Sequence, residues 1–353
     1  MTRTMVQCWA VVLALVAGYP LAAQEGDAAD RFAYSADLLV RGERTELPVR
    51  EIERLRTSLR LGVQFLASDA LEFGIGARVA LGSDDNADNR GNLDNQRSDE
   101  VALDQFWMRW YVNPDWVVAV GKDEVPLMLS PMLWDEDLRP VGVSSDWQMG
   151  VRDFDNFSVV VGYFAPDFVY EDESRLAAVQ AAYRFRDGAP TGGAIVLSYL
   201  DYSDLDELPV ERLSRTNRVA NGRLLSDYRL LDLQLIGRTT LADKRLEMRV
   251  NLVRNLGADD EDQGARASLV WGDRREAGNW ELGFAAQRMQ RDAVLAAASD
   301  DDWWFHSFAR GVMPWVGYGF NDVWNLRVAA FDERRDRAND DVRRYLIDLR
   351  ARW

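Results

Sequence analysis

From Phe32 onward, apolar residues recur at every second position in short runs, and polar, turn-forming residues separate the runs. A period of two puts alternate side chains on opposite faces of an extended strand. Phe32, Tyr34, Ala36, Leu38 and Val40 form the first such face, and a charged segment from Glu43 to Arg54 is expected to connect it to the next. Leu59, Leu61, Val63 and Phe65, a tight turn at Ser68-Asp69, and Phe73, Ile75, Ala77 and Val79 predict a hairpin. The same grammar continues through Trp110, Trp116, Trp147, Val161, Val179 and Leu197, and then through Leu233, Val250, Leu269 and Phe284. Trp303, Phe305 and Phe308 alternate poorly but are expected to lie on a strand, before Trp324, Leu326, Val328 and Ala330. The last run is the cleanest. Tyr345, Ile347, Leu349, Ala351 and Trp353 share one face, and Asp348, Arg350 and Arg352 share the other.

The connectors sort by parity. Short turns at Ser68-Asp69, Asn113 to Asp115, Asp153 to Asn156, Asp187 to Gly193, Leu241 to Lys244 and Asp273 to Gly278 alternate with longer polar stretches. The long ones are Gly82 to Glu100, Lys122 to Gly142, Asp201 to Ser226 and the flanks of Asp300 to Asp302. Long loops at one end and short turns at the other are the pattern of a transmembrane β-barrel. A soluble sandwich or propeller has no reason to sort its loops this way. The fold expected is therefore an all-β, closed antiparallel barrel of about sixteen strands with an inward-folding loop. In hydrocarbon an unpaired amide costs several kcal/mol, so the first strand must pair with the last.

The N-terminus changes the picture in one respect. Arg3, an apolar run from Cys8 to Ala17 and the small-residue ending Leu21-Ala22-Ala23 have the form of a secretory signal peptide. Residues 1–23 are expected to be that peptide and residues 24–353 the barrel. Removing it removes Cys8, the chain's one cysteine, so no disulfide would hold the exported protein together. No later stretch approaches the ~20 apolar residues of a membrane helix. With 58 acidic against 42 basic residues the formal charge is −16, which argues against nucleic acid as a partner. The 13 Trp and 11 Tyr suit aromatic girdles at a membrane interface.

Candidate chemistry centres on the segment after the fifth strand. It is too apolar for a freely solvated loop, yet it presents Asp123, Glu124, Asp135, Glu136 and Asp137 together with Trp134 and Arg139. Folded into the lumen it would narrow a channel and line it with carboxylates. The polar faces of the strands carry Arg60, Arg109, Arg184, Arg249, Arg266, Arg327 and Arg350. If the apolar faces meet lipid, these arginines face the lumen, because a basic residue on the lipid face near the midplane costs ~2–4 kcal/mol. An arginine wall opposite an acidic loop would set up a transverse field. Alternatively, local pairs such as Arg249 with Glu247 stiffen the interior.

The stretch Leu133-Trp134-Asp135-Glu136-Asp137-Leu138-Arg139-Pro140-Val141-Gly142 resembles a motif of the putative porin family of Gram-negative outer membranes. The closing strand, with Tyr345, Ile347, Leu349 and the terminal Trp353, resembles the signal read by the barrel-assembly machinery. The resemblance implies a bacterial outer-membrane channel and no particular solute. The expected function is a passive porin for small hydrophilic solutes and ions, without catalysis or cofactor, in contact with outer-membrane lipid and lipopolysaccharide. By analogy with sixteen-stranded porins, a homotrimer is expected. The alternatives are a substrate-specific channel for a sugar or an anion, a barrel enzyme using Asp84 or Asp135 as general base, and a secreted soluble β-protein. Two motifs add little. Asp84 to Asn89 resembles the front of a calcium loop but lacks the glycine and the closing glutamate. His306 beside Ser307 has no second histidine to support catalysis, since neighbours on a strand face opposite ways.

Overall fold

The computed structural model describes residues 31–83, 95, 99–152, 154–166, 173–338 and 340–353. The signal-peptide expectation over 1–23 and the Asp84 to Asn89 motif lie outside the described residues.

Sixteen strands close into one antiparallel barrel. They are β1 (Phe32–Glu46), β2 (Glu51–Ser68), β3 (Leu71–Gly82), β4 (Glu100–Asn113), β5 (Trp116–Lys122), β6 (Val141–Arg152), β7 (Asp155–Ala165), β8 (Arg175–Phe185) and β9 (Gly192–Ser203). A small hairpin of β10 (Val219–Ala220) and β11 (Arg223–Leu224) stands apart, inside a connector. The barrel resumes with β12 (Tyr228–Leu241), β13 (Lys244–Asn255), β14 (Gln263–Gly272), β15 (Trp280–Met289), β16 (Ala309–Gly319), β17 (Trp324–Arg335) and β18 (Asp341–Arg352). Each strand pairs with its sequence neighbour, β9 with β12 across the small hairpin, and β1 closes on β18 from Asp37↔Arg352 to Glu46↔Arg343. Beyond the ladder, the backbone of Trp353 exchanges hydrogen bonds with Ala36 at 2.9 and 3.2 Å. No sheet edge is left in the barrel, as a hydrocarbon surround demands. Among the described residues no helix is long and apolar enough to cross a membrane.

The period-two faces point as hydrocarbon would require. Ile347 is 54% exposed and Phe284 47% on the outside, whereas their neighbours Asp348 and Ala285 face inward and are buried. Leu61, Ile75, Phe106, Val161, Leu197, Met248 and Leu252 continue the outer belt. Tyr345, Leu349 and Trp353 lie on the same outer face, and Trp353 meets Trp324 edge-on at 5.9 Å. Large inward aromatics settle over glycines of the neighbouring strand. A Cβ on Gly74 would lie 2.2 Å from the Trp107 indole, and one on Gly283 1.9 Å from that of Trp315, so neither position has room for alanine.

Two expectations need correction. The segment from Glu43 to Arg54 is no loose connector: β1 and β2 run on through it, leaving only residues 47–50 between them. Its inward charges are paired, Arg54 and Arg344 both reaching Glu43 at 2.9 Å. Trp303, Phe305 and Phe308 are not on a strand; they sit buried in the connector 290–308. The strand in that sector is β16, whose outer residues are Val312, Pro314, Val316 and Tyr318. Pro314 and the inner Gly311, Gly317 and Gly319 thin the apolar signal there.

The outer belt predicts an asymmetric mutational cost. Phe284→Arg should lower stability in lipid vesicles by ~2–4 kcal/mol. An arginine at an open position of the inner face, Ser35→Arg, should cost far less. Denaturant titration of the barrel folded into vesicles measures both.

Candidate channel constriction

The barrel interior has two unlike walls. On β7, β8, β9 and β12 many of the inward residues are themselves apolar: Val160, Ala182, Ala194, Val196, Leu200, Leu230 and Ile236 are all buried. Strands that are apolar on both faces need a second partner on the inside. That partner is the connector 123–140. Met128 packs against Ala182, Ala194, Val196 and Ile236, while Met132, Leu133, Trp134 and Leu138 join a larger cluster with Leu176, Leu200, Tyr228 and Leu230. Polar side chains of the wall fix the backbone in place. Gln180 donates to the Met128 carbonyl at 3.1 Å and accepts from the Met128 N–H at 2.9 Å, and Gln234 donates to the same carbonyl at 2.5 Å. Fully burying Met132 and Leu133 stabilises the inward position by roughly 1.5–3 kcal/mol each as an upper bound.

A second inward connector was not anticipated. Residues 290–308 also enter the lumen, and Ala293, Val294, Leu295, Ala297 and Ala298 belong to the same apolar cluster. The two connectors clasp. The Asp135 N–H donates to the Ala298 carbonyl at 2.8 Å, and the Asp300 N–H donates to the Pro131 carbonyl at 3.0 Å. Asn95 bridges them through the Asp135 carboxylate at 2.8 Å and the Ser299 carbonyl at 3.0 Å. Asp292, fully buried, accepts from Ser226, Tyr228 and Arg218, which ties in the connector 204–227. An apolar run, Ala293 to Ala298, at a position where a loop should be polar was the signal in the sequence.

The clasp carries its acids across the lumen toward the other wall. Asp135, Glu136, Asp137 and Asp300 to Asp302 face arginines on β1, β2, β3, β17 and β18, leaving a gap of about 110 Å³ lined by seven arginines and eight carboxylates. Arg60 holds Asp137 at 2.7 Å, Arg350 approaches Glu136 at 3.6 Å, and Arg327 approaches Asp302 at 3.5 Å. Arg41 bridges Asp302 and, at 2.7 Å, Asp348. Toward the end holding the termini the gap opens into a chamber of about 790 Å³, bounded by Ser35, Arg352 and Trp353, with Asp37, Arg60, Glu136, Asp300 and Arg350 lining both spaces.

The anticipated residues are distributed unevenly around this gap. Arg60, Arg327 and Arg350 line it directly. Arg249 reaches the chamber and pairs locally with Glu247 at 2.5 Å, the arrangement expected of a local pair. Arg184 points inward to Ser158 and the Met128 sulfur, Arg109 pairs with Asp123 at 2.7 Å, and Arg266 is buried against Gln287 at 2.7 Å. Within the connector, Arg139 is turned away from the gap and binds Glu124 at 2.9 Å. Trp134 belongs to the apolar cluster beneath. Arg41, Arg56, Arg78 and Arg274 were missed on the wall. Asp300 to Asp302, a polar loop by sequence alone, line the gap. His306 bonds Ser299 at 3.2 Å deep in the clasp.

Burial and crowding split the acids into two kinds. Burial, reinforced by the nearby charges of Asp301, Asp137 and Asp300, holds the Asp135 carboxyl well above the usual carboxylate range. Asp300 is raised in the same way by burial and by Asp302 and Asp301. For Asp137 burial pulls upward, but Arg60 and Arg78 outweigh it and hold the group below its ordinary value. Asp302 is likewise lowered, its burial overcome by Arg41, Arg327 and Arg344.

No family model and no curated protein sequence matches the chain. Solved structures match in fold. OprB of Pseudomonas putida aligns over 92% of this chain and 94% of its own, with a TM-score of 0.61 and 12% identity. OmpF of Salmonella typhi, in complex with daunomycin, aligns over 91% and 97% with a TM-score of 0.56 and 11% identity. OccK11 of Pseudomonas aeruginosa aligns over 95% and 99% with a TM-score of 0.52 and 14% identity. The chain, with its sixteen strands, therefore shares the closed β-barrel fold of these porins.

The wall pairs predict how the clasp can be opened. Asp302→Asn removes the carboxylate shared by Arg41 and Arg327, and should cost the clasp about 1–3 kcal/mol after allowance for partial exposure. Faster proteolytic cleavage within 290–308, with the barrel itself intact, would register the loss.

Proposed function

We propose that the chain is a passive outer-membrane channel for small hydrophilic solutes and ions, exported to a Gram-negative outer membrane. The observation that carries this reading is the closed ladder with an apolar exterior and a charged interior narrowed by inward connectors. A barrel built this way replaces ~30 Å of hydrocarbon with a water-lined path. No reaction is part of the proposal. Asp135 sits buried under hydrogen bonds from Asn95 and the Asp137 N–H, a poor setting for a general base. The resemblance of Leu133 to Gly142 to the putative porin family, the terminal Trp353 as an assembly signal, and a homotrimer belong to the same proposal.

The both-signed lining of the 110 Å³ gap favours a second reading, a substrate-specific channel for a small dipolar or anionic solute. Seven guanidinium groups facing eight carboxylates orient a solute that carries both charges and offer little to an apolar one. Planar-bilayer recordings separate the readings. A general pore gives ohmic current without blockage by added solute, and a specific one shows saturable interruptions with an amino acid or small dicarboxylate.

Ion preference should depend on pH. Asp135 and Asp300, raised by burial and by their acidic neighbours, take up protons above the ordinary carboxylate pKa of about 4. As pH falls the gap loses these two charges first and its arginines come to dominate. Asp137 and Asp302 are depressed, so their anchoring contribution is present above the ordinary value and is lost only as pH falls through their lower ones. The reversal potential in a salt gradient should therefore shift toward anions as pH falls while still above the ordinary carboxylate value of about 4, without collapse of the clasp. Asp135→Asn should flatten that shift.

A further inference from the structure

The loop end of the barrel bears a second charged feature, unconnected with the channel. On β15 the outward residues rise through Trp280, Leu282, Phe284 and Ala286 to Arg288. On β16 they rise through Tyr318, Val316, Pro314 and Val312 to Arg310, and on β17 through Leu326, Val328, Ala330 and Asp332 to Arg334. The ladder sets Arg288 opposite Arg310, and Arg310 opposite Arg334. Three guanidinium groups thus stand at one height on adjacent strands, directly above apolar residues on β15 and β16 and above Asp332 on β17. Like charges directly opposite one another destabilise a sheet, so the row is unfavourable without an anion.

The row forms one side of a polar pocket of about 310 Å³ that also takes in Arg335 and Arg337. Only Glu261 and Asp336 oppose these arginines within the lining. Arg337 reaches Glu261 at 2.9 Å and Arg288 reaches Asp336 at 3.3 Å, and Asp341 holds Arg334 from the side at 2.7 Å. Arg310, exposed, pairs with no carboxylate among the described residues. The same edge on β1 and β2 is built the other way: Arg44 is ringed by Glu46, Glu51 and Glu53. In a chain of net charge −16 the sector at β15 to β17 is a local inversion.

We propose that this sector docks a phosphate-bearing glycolipid of the outer leaflet, its phosphates on Arg288, Arg310 and Arg334 and its acyl chains against Phe284, Val312 and Val328. Guanidinium forks match phosphate oxygens in pairs, and the row sits at the height where headgroup gives way to hydrocarbon. Free phosphate shares the headgroup chemistry but has no use for the apolar residues beneath, which is why the site is assigned to a lipid.

The test uses the full-length barrel in detergent, mixed with bisphosphorylated lipid A or its fully dephosphorylated counterpart, with bound lipid read by native mass spectrometry. Wild type should retain the bisphosphorylated form about tenfold better, and millimolar inorganic phosphate should not strip it. Arg288→Gln with Arg310→Gln should lose that preference, and Arg44→Gln, on β1 at the same end of the barrel, should keep it. Unchanged single-channel conductance of the double variant verifies its fold and separates this site from the channel reading. Should the double variant fail to fold, Arg310→Gln alone carries the test, because Arg310 has no ion partner to lose. Equal retention of the two lipids by wild type, undiminished retention by the folded glutamine variant, or displacement by inorganic phosphate overturns the proposal.

Discussion

Backbone satisfaction in hydrocarbon governs this molecule. Every amide and carbonyl that faces acyl chains must be paired within the sheet, so the sheet can have no free edge. The seam between β1 and β18, carried to the last residue by the exchange between Ala36 and Trp353, meets that demand. Once the ring is closed, the period of two does the rest: each strand offers one face to lipid and one to the interior, and a slip of one residue would exchange them.

Closing sixteen strands leaves a space too wide to be filled by wall side chains alone. Here the remedy is two inward connectors locked to each other by backbone hydrogen bonds between 131 and 300 and between 135 and 298. One side of the clasp is held by apolar packing against β7, β8, β9 and β12, which is indifferent to salt and pH. Its other side faces the arginine wall through ion pairs that respond to both. The charged, pH- and salt-responsive part of the interior is thus confined to a thin layer between the acids at 135–137 and 300–302 and the arginines of β1 to β3, β17 and β18. Buried ion pairs are weak sources of net stability because desolvation offsets their attraction. Their value here is positional, fixing where charge stands in the gap.

Much of this was legible in the residues, and the misses have physical causes. Alternation along Tyr345 to Trp353 and the parity of connector lengths fixed closure, because both follow from local rules of strand geometry. Trp303, Phe305 and Phe308 misled because aromatic residues in an inward connector look like a weak strand, while the true strand, β16, is diluted by Pro314 and three glycines. The segment Glu43 to Arg54 misled because charge reads as loop, although a barrel strand may be charged where its inner face finds partners such as Arg54 with Glu43. Arg60, Arg327 and Arg350 could be assigned to the lumen from parity. Which of them would face the acids could not, since that depends on how the connectors fold back from residues far away in sequence. The apolar run Ala293 to Ala298 was the one local clue to the second connector.

The central claim is that oily faces meet lipid and charged faces meet water within the ring. The chain's one cysteine, Cys8, can be replaced, so single cysteines introduced at 248, 249, 347 and 350 in vesicle-embedded protein can be tested with a membrane-impermeant thiol reagent. The account predicts rapid labelling of Arg249→Cys and Arg350→Cys and protection of Met248→Cys and Ile347→Cys. The opposite pattern, with the oily positions reacting and the arginine positions silent, would contradict it.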